Sequence, residues 1–292
     1  MITFALHQIS QKMSPNKNYL NIGCGKKFHK SWENVDMVSH SKYVRQYNLI
    51  KGLPYPNNTF DVVYHSQVLE HIPKEDALSF IQECYRVLKP NGVIRVVVPN
   101  LENIIDEYRR LLSENIENPT EVSNASYDWI MLELFDQVLR NQSGGQMRQV
   151  LSQSNLVHQE YINTRRGFIG RQIQNKDKIN ETLKTKITRV IEENGLLGFM
   201  RLSFGLVKQK VFKLLLGKKY SLGDFRLGGE IHYWMYDKFS LKRLLESAAF
   251  QDVKLQTPHD SDIPEWANYE LDVKDNQIYD PTSLFMEARK IN

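Results

Sequence analysis

The chain has 292 residues, 41% apolar and 25% charged, a balance that supports a sizeable folded core and argues against disorder over most of its length. The net charge of +4 is too small to mark a nucleic-acid binder, and no stretch reaches the ~18 uncharged apolar residues that would span a bilayer. Two cysteines at unrelated positions make neither a disulfide framework nor a metal knot. With no secretory pattern in Met1 to Ser14, they point to a reducing, cytoplasmic setting.

The first third alternates short apolar runs with helical periods, the pattern of parallel strands joined by crossovers. Tyr19 to Ile22 is a predicted strand running into Gly23-Cys24-Gly25, and Asn34 to Asp36 and Tyr43-Val44 begin two more. Phe60 to Tyr64 reads as a buried central strand. A helix follows from Lys74 to Leu88, with Leu78, Ile81, Tyr85 and Leu88 sharing a face, and Lys89-Pro-Asn-Gly92 should stop it. Val93 to Val98 is the next strand and Leu101 to Ser113 the next helix.

From 117 to 229 helical patterns with polar breaks replace the alternation, which predicts a mainly helical insertion between 1–116 and 230–292. Strand character returns at Ile231 to Tyr236, Ser240 is placed to cap a helix over Leu241 to Ala249, and Val253 to Leu255 and Ser283 to Glu287 form a closing pair of strands. The predicted architecture is α/β, an open and mostly parallel sheet with antiparallel terminal strands.

A Gly-X-Gly bend after an opening strand lets a ligand approach where a Cβ would collide, although such strings also make plain tight turns. Eleven residues beyond Gly25, Asp36 ends a short strand where a carboxylate can accept from two ribose hydroxyls, its alternative being a surface turn. Five blocks stand in order: Tyr19 to Gly25, Trp32 to Asp36, Leu53 to Tyr64, Val68 to Ile72 and Arg86 to Gly92. Together they resemble class I S-adenosylmethionine-dependent methyltransferases of the type 11 group.

The resemblance implies a Rossmann-like, doubly wound sheet and S-adenosylmethionine as cofactor. It places Asn21, Gly23, Cys24 and Gly25 around the methionine part and Asp36 on the ribose. Asn48, with Leu49 beside it, stands where the group often has an aspartate facing adenine, and Ser66 and Gln67 fall near the reactive methyl. Lys26 or Lys27 replaces the usual third glycine, and only Lys26 to Glu33 remains for the first crossover helix, which must be very short.

Methyl transfer to a hydroxyl needs a base, and histidine suits it. His71 follows the fourth strand and is either that base or a helix-start residue with local bonds. His232 is either a second base or a structural strand histidine. Asp136 and Arg140 share a helical face before Gly144-Gly145, where they either pair or line a substrate pocket.

The acceptor expected is a small molecule or glycan, a lipid-linked one included. RNA or protein methylation, or a non-catalytic cofactor-binding partner subunit, are the alternatives, nucleic acid being disfavoured because no RNA-binding module or stacking aromatics are present. No metal is expected from the sequence. Between Asn163 and Lys219 fourteen Lys or Arg face four acidic residues, a charge of about +10, and 200–219 sets Met200, Phe204, Val207, Val211, Leu214 and Leu215 on one helical face with Lys208, Lys210, Lys213, Lys218 and Lys219 largely elsewhere. That pattern suits either peripheral contact with an anionic membrane face or a helix covering the sheet with its lysines in solvent.

Overall fold

A computed structural model describes residues 18–39, 41–49, 52–167, 217 and 219–291 of the protein. A seven-stranded sheet organises them. Strands β1 (Tyr19–Ile22), β2 (Glu33–Asp36), β3 (Val44–Gln46), β4 (Phe60–Ser66) and β5 (Leu88–Pro99) run parallel. Strands β6 (Gln251–Gln256) and β9 (Ser283–Arg289) close the sheet, with β9 antiparallel to both β5 and β6, while β7 (Val273–Lys274) and β8 (Gln277–Ile278) form a separate antiparallel pair. The order β3-β2-β1-β4-β5-β9-β6 puts β1 beside β4 although 37 residues separate the end of one from the start of the other. At that switch point the two chains leave the carboxyl edge in opposite directions and open a crevice.

Alternation along the strands sends two residue sets to opposite faces. Leu20, Ile22, Val63, Ile94, Val96 and Val98 meet helices α1 (Lys74–Val87) and α7 (Lys238–Ser247). On the other face Tyr19, Tyr64, Val93 and Val97 are covered by an aromatic cluster of Trp32, Trp266, Tyr269 and Phe285. There Arg95 lies fully buried on β5, with Nε on Asp272 at 2.8 Å, Nη1 on Glu287 at 2.7 Å and Nη2 on the Thr257 carbonyl at 2.7 Å. Its guanidinium stacks 4.6 Å from the Trp266 ring. One buried cation with matched partners therefore ties β5, β9 and the 257–280 segment together.

Several sequence readings are corrected. The buried stripe of α1 is Ala77, Phe80, Ile81, Cys84 and Val87, and Leu78 is exposed, one position off the face. Lys89 to Gly92 does not separate helix from strand: Leu88 already pairs with Phe60, and the register shifts before Val62 meets Val93, so the turn residues form a bulge within β5. Between Gly23 and Trp32 the chain makes turns and no helix. Helix α2 (Leu101–Glu117) outruns its expected end at Ser113.

Residues 231–236 are not a strand. Their amides go sideways, His232 N–H to the Gln137 carbonyl at 3.0 Å and Tyr233 N–H to the Glu70 carbonyl at 2.7 Å, with a single bridge from Tyr236 to Asn100. Aromatic and apolar alternation there reflects burial between two elements. The cap of α7 is Asp237, whose carboxylate accepts from the Ser240 amide at 2.7 Å, Ser240 being the reciprocal member of a capping box.

In the predicted insertion, α3 (Glu121–Leu139) packs back on α2 and is followed by α4 (Gly145–Leu151), α5 (159–167) and α6 (219–227). Trp129, Met147, Leu151 and Ile162 form a small core of their own. The basic amphipathic stretch 200–219 lies outside the described residues apart from Gly217 and Lys219. No helix among the described residues is long and apolar enough to cross a membrane.

Arg95→Ala leaves Asp272 and Glu287 as unpaired buried carboxylates, so unfolding in urea is expected to show a loss of about 3–5 kcal/mol.

Candidate cofactor and acceptor site

The crevice begins at the bend after β1. Gly23 has φ +63°, and a Cβ there would lie 2.4 Å from Val68 Cγ2 in the turn after β4. Only a bare backbone lets these two chain segments touch. Gly25 also has a positive φ of +53°, but nothing lies within 4 Å of its Cβ direction. Its amide donates to Asp36 Oδ2 at 2.8 Å, while Val38 N–H donates to Oδ1 at 3.0 Å. A carboxylate offers about four acceptor sites, so Asp36 holds the loop and keeps capacity for two hydroxyls.

Beneath the bend, Asn21 is buried and spans the loop, its Nδ2 donating to the Lys27 carbonyl at 3.0 Å and to Asn34 Oδ1 at 3.3 Å. Cys24 is buried beside it, and burial pushes its thiol up to about 12. Lys27, one of the two residues replacing a glycine, turns its Nζ onto Ser66 Oγ at 2.9 Å, and burial lowers its pKa. Asn21, Cys24 and Ser66 thus support the loop from behind the wall. Gln67 forms part of the wall, held at φ +57° with its side-chain amide on Ser283 Oγ at 3.0 Å. A left-handed glutamine at the end of a central strand is stored strain of the kind found at functional sites.

The crevice encloses about 640 Å³ between Gly23, Asp36, Val38, Leu49, Gln67 and His71. Leu49, Leu53 and Phe80 give it an apolar floor, while Asn48 is exposed and is not part of the wall. Arg86 fastens the floor loop, donating to the Leu53 and Tyr55 carbonyls at 3.0 and 2.8 Å and pairing with Glu83, which accepts the Leu53 amide at 2.8 Å. Two of the five sequence blocks meet in that clamp.

Opposite Asp36 the wall is His71. Its Nδ1 lies 2.9 Å from the Ile231 carbonyl oxygen, which can only accept, so Nδ1 carries the proton and Nε2 the lone pair. The His232 ring stands perpendicular at 4.8 Å, and His71 Nε2 is 3.9 Å from Glu70 Oε1. Burial pushes Glu70 up to about 8, lowers His71, and carries His232 well below its ordinary range, with the charge of His71 adding to the last. The structure thus brings together two of the three proposed catalytic residues.

Asp136 is not with them. It accepts the Gln146 amide at 2.8 Å and caps α4, while Arg140 bonds to Gln137 and reaches Glu230 at 3.3 Å, so the two do not pair. A Cβ on Gly145 would strike the Asp136 carboxylate, which explains the paired glycines as packing. Sequence reading missed Glu70, Val68 and Tyr233. The first two lie inside the quoted Val68 to Ile72 block, but Tyr233 joins the wall only through the fold.

The bare bend, the spare carboxylate capacity across from it and the apolar floor fit an adenosyl ligand. A class I S-adenosylmethionine-dependent methyltransferase domain, with S-adenosylmethionine as its cofactor, is present over residues 20–96. Residues 20–96 match the type 11 family, described as a methyltransferase domain.

The chain is similar to a probable S-adenosylmethionine-dependent methyltransferase of Mycolicibacterium smegmatis, 46% identical over 57 residues, 20% of this chain and 21% of the relative. It is also similar to demethylmenaquinone methyltransferase of Listeria monocytogenes, 26% identical over 121 residues, 39% of this chain and 47% of the relative. The chain therefore spans less than half the length of these relatives. A solved S-adenosylmethionine-dependent methyltransferase from Archaeoglobus fulgidus aligns over 94% of this chain and 86% of its own, at 13% identity and a TM-score of 0.37.

Both glycines carry the left-handed penalty, about 1–2 kcal/mol for an alanine, but only one meets Val68. Urea unfolding should therefore show Gly23→Ala losing clearly more stability than Gly25→Ala, and Val68→Ala should return part of the difference when added to Gly23→Ala.

Proposed function

We propose that the protein transfers a methyl group from S-adenosylmethionine to a hydroxyl of a small molecule or glycan. The reading is carried by one observation: a crevice walled on one side by Gly23 and Asp36 and on the other by His71, whose Nε2 lone pair has no hydrogen-bond partner among the described residues. When bound, the cofactor supplies a strongly electrophilic methyl on a positively charged sulfur.

The work left to the chain is alignment and exclusion of water. Asp36 would take the ribose hydroxyls, and Leu49, Leu53 and Phe80 would take the flat apolar face of adenine. The acceptor enters at the His71 corner, where the Nε2 lone pair faces an oxygen that must lose its proton, with Glu70 and His232 buried behind it. As the new oxygen–carbon bond forms, the carbon–sulfur bond breaks and its electron pair stays on sulfur. The hydroxyl proton departs through that corner to water at the crevice mouth.

Cofactor affinity and turnover separate the two walls. By calorimetry, Asp36→Ala should lose cofactor binding, while His71→Ala should retain it and transfer labelled methyl at least tenfold more slowly. Incubating the chain with methyl-labelled cofactor and fractionated extract should put label in a hydroxyl-bearing small molecule or glycan. Label confined to RNA or protein overturns the acceptor class, and no label in any fraction despite cofactor binding overturns catalysis.

A lipid-linked acceptor is favoured by the sequence of 200–219, whose helical period separates an apolar set from a lysine set. Co-sedimentation with liposomes should then rise with the fraction of anionic lipid and fall with salt. Equal recovery on neutral and anionic vesicles removes the membrane from the proposal.

A further inference from the structure

Glu70 lies in the turn Leu69–His71 after β4, fully buried, and neither of its carboxylate oxygens has a hydrogen-bond partner among the described residues. An orphaned buried carboxylate is costly, and native proteins rarely leave one without a cause. Here the missing partner is indicated by the neighbours. One donor atom each from Glu70, His71 and His232 lies within 4.8 Å of the others.

We propose that Glu70, His71 and His232 form a binding site for a divalent first-row transition metal ion at the acceptor end of the crevice. The donor set is two imidazoles and one carboxylate, which favours Mn²⁺, Fe²⁺ or Zn²⁺ over the all-oxygen preference of Mg²⁺ and Ca²⁺. His71 is already oriented as metal-binding histidines are, its Nδ1–H donating to the Ile231 carbonyl at 2.9 Å so that Nε2 points its lone pair inward. Two donors at ~2.1 Å from one ion in a tetrahedral array lie about 3.4 Å apart, closer than the 4.8 Å within which the three donor atoms stand. Loading therefore draws the donors together through their side-chain torsions.

The surrounding charge permits a cation. Arg140 and Arg166 lie near His232, but Arg140 pairs with Glu230 at 3.3 Å and Arg166 with Asp280 at 3.1 Å. Lys27 is also near Glu70, its ammonium turned onto Ser66 Oγ. Burial favours the protonated form of Glu70, so the ion would take the place of that proton and Glu70 would become the anion that balances it.

Three protein ligands leave coordination positions open, and His71 is the member of the set that lines the crevice. A hydroxyl or vicinal diol of the acceptor would take an open position, where the ion lowers the pKa of the bound oxygen. With the ion bound the His71 Nε2 lone pair is a ligand, and the ion in place of the free imidazole would ease loss of the hydroxyl proton; that role rests on the methyl-transfer reading, whereas the site rests on its own geometry.

The test uses the full chain stripped with chelator and titrated with Mn²⁺ alone, free ion being followed by electron paramagnetic resonance. Saturable binding of one ion per chain is expected, weakened at least tenfold by Glu70→Gln and by His232→Ala and unchanged by Asp36→Ala. Should the buried substitutions fail to fold, Co²⁺ added to the unaltered chain should give visible bands displaced from those of the aqueous ion.

Absence of saturable Mn²⁺ binding, a Co²⁺ spectrum identical to the free ion, or unchanged affinity in both folded variants overturns the site. Calorimetry with the cofactor on the same preparation separates the two ideas. Lost metal binding with intact cofactor binding defeats only the metal site, while saturable Mn²⁺ binding in a chain that takes no cofactor upholds the site and defeats the methyl-transfer reading.

Discussion

Everything at the carboxyl edge of the sheet depends on the contact between Gly23 and Val68. At 2.4 Å from Val68 Cγ2 there is no room for a Cβ, so the chain leaving β1 can lie against the chain leaving β4 only where a residue has no side chain. That approach sets the depth of the crevice and fixes how far Asp36, on β2, stands from Gln67 and His71 beyond β4. It also determines the start of the turn that sinks Glu70. A looser contact would separate the two walls and leave the crevice a shallow groove.

Rigid support for this edge comes from the opposite face of the sheet. The buried Arg95 guanidinium is met by Asp272, Glu287 and backbone carbonyls, and is packed on Trp266. Because β5 is clamped to β9 there, Ser283 is held where it receives the Gln67 amide. The strained backbone at Gln67 is thus maintained by a bond to the far strand pair, and an ion-pair network outside the crevice contributes to the shape of its wall.

Much of the arrangement was legible in the chain itself. Strands β1, β2, β4, β6 and β9 follow runs whose apolar content or alternation is local, and the Gly23 bend and Asp36 stand in a spacing that needs no tertiary information. The Arg86 block could be recognised, yet its purpose could not: it fastens the loop at Leu53 to Tyr55, more than thirty positions earlier. Asp136 shows the opposite failure. A carboxylate beside paired glycines suggested a pocket, whereas its oxygens cap the next helix because the chain folds back on it at Gly145.

Local chemistry determined where the backbone could bend, which residues would enter a sheet and which carboxylate could meet a ribose, since strand period, glycine freedom and side-chain charge act within a few residues. Only the folded chain decided that His71 Nδ1–H would donate to a carbonyl 160 residues away with its ring centroid 4.8 Å from that of His232, and that the Glu70 carboxylate beside them would be buried with no hydrogen-bond partner among the described residues. The physical reason is that burial and lone-pair direction are properties of packed neighbours. Those neighbours come from the far end of the insertion, and no short-range pattern encodes them.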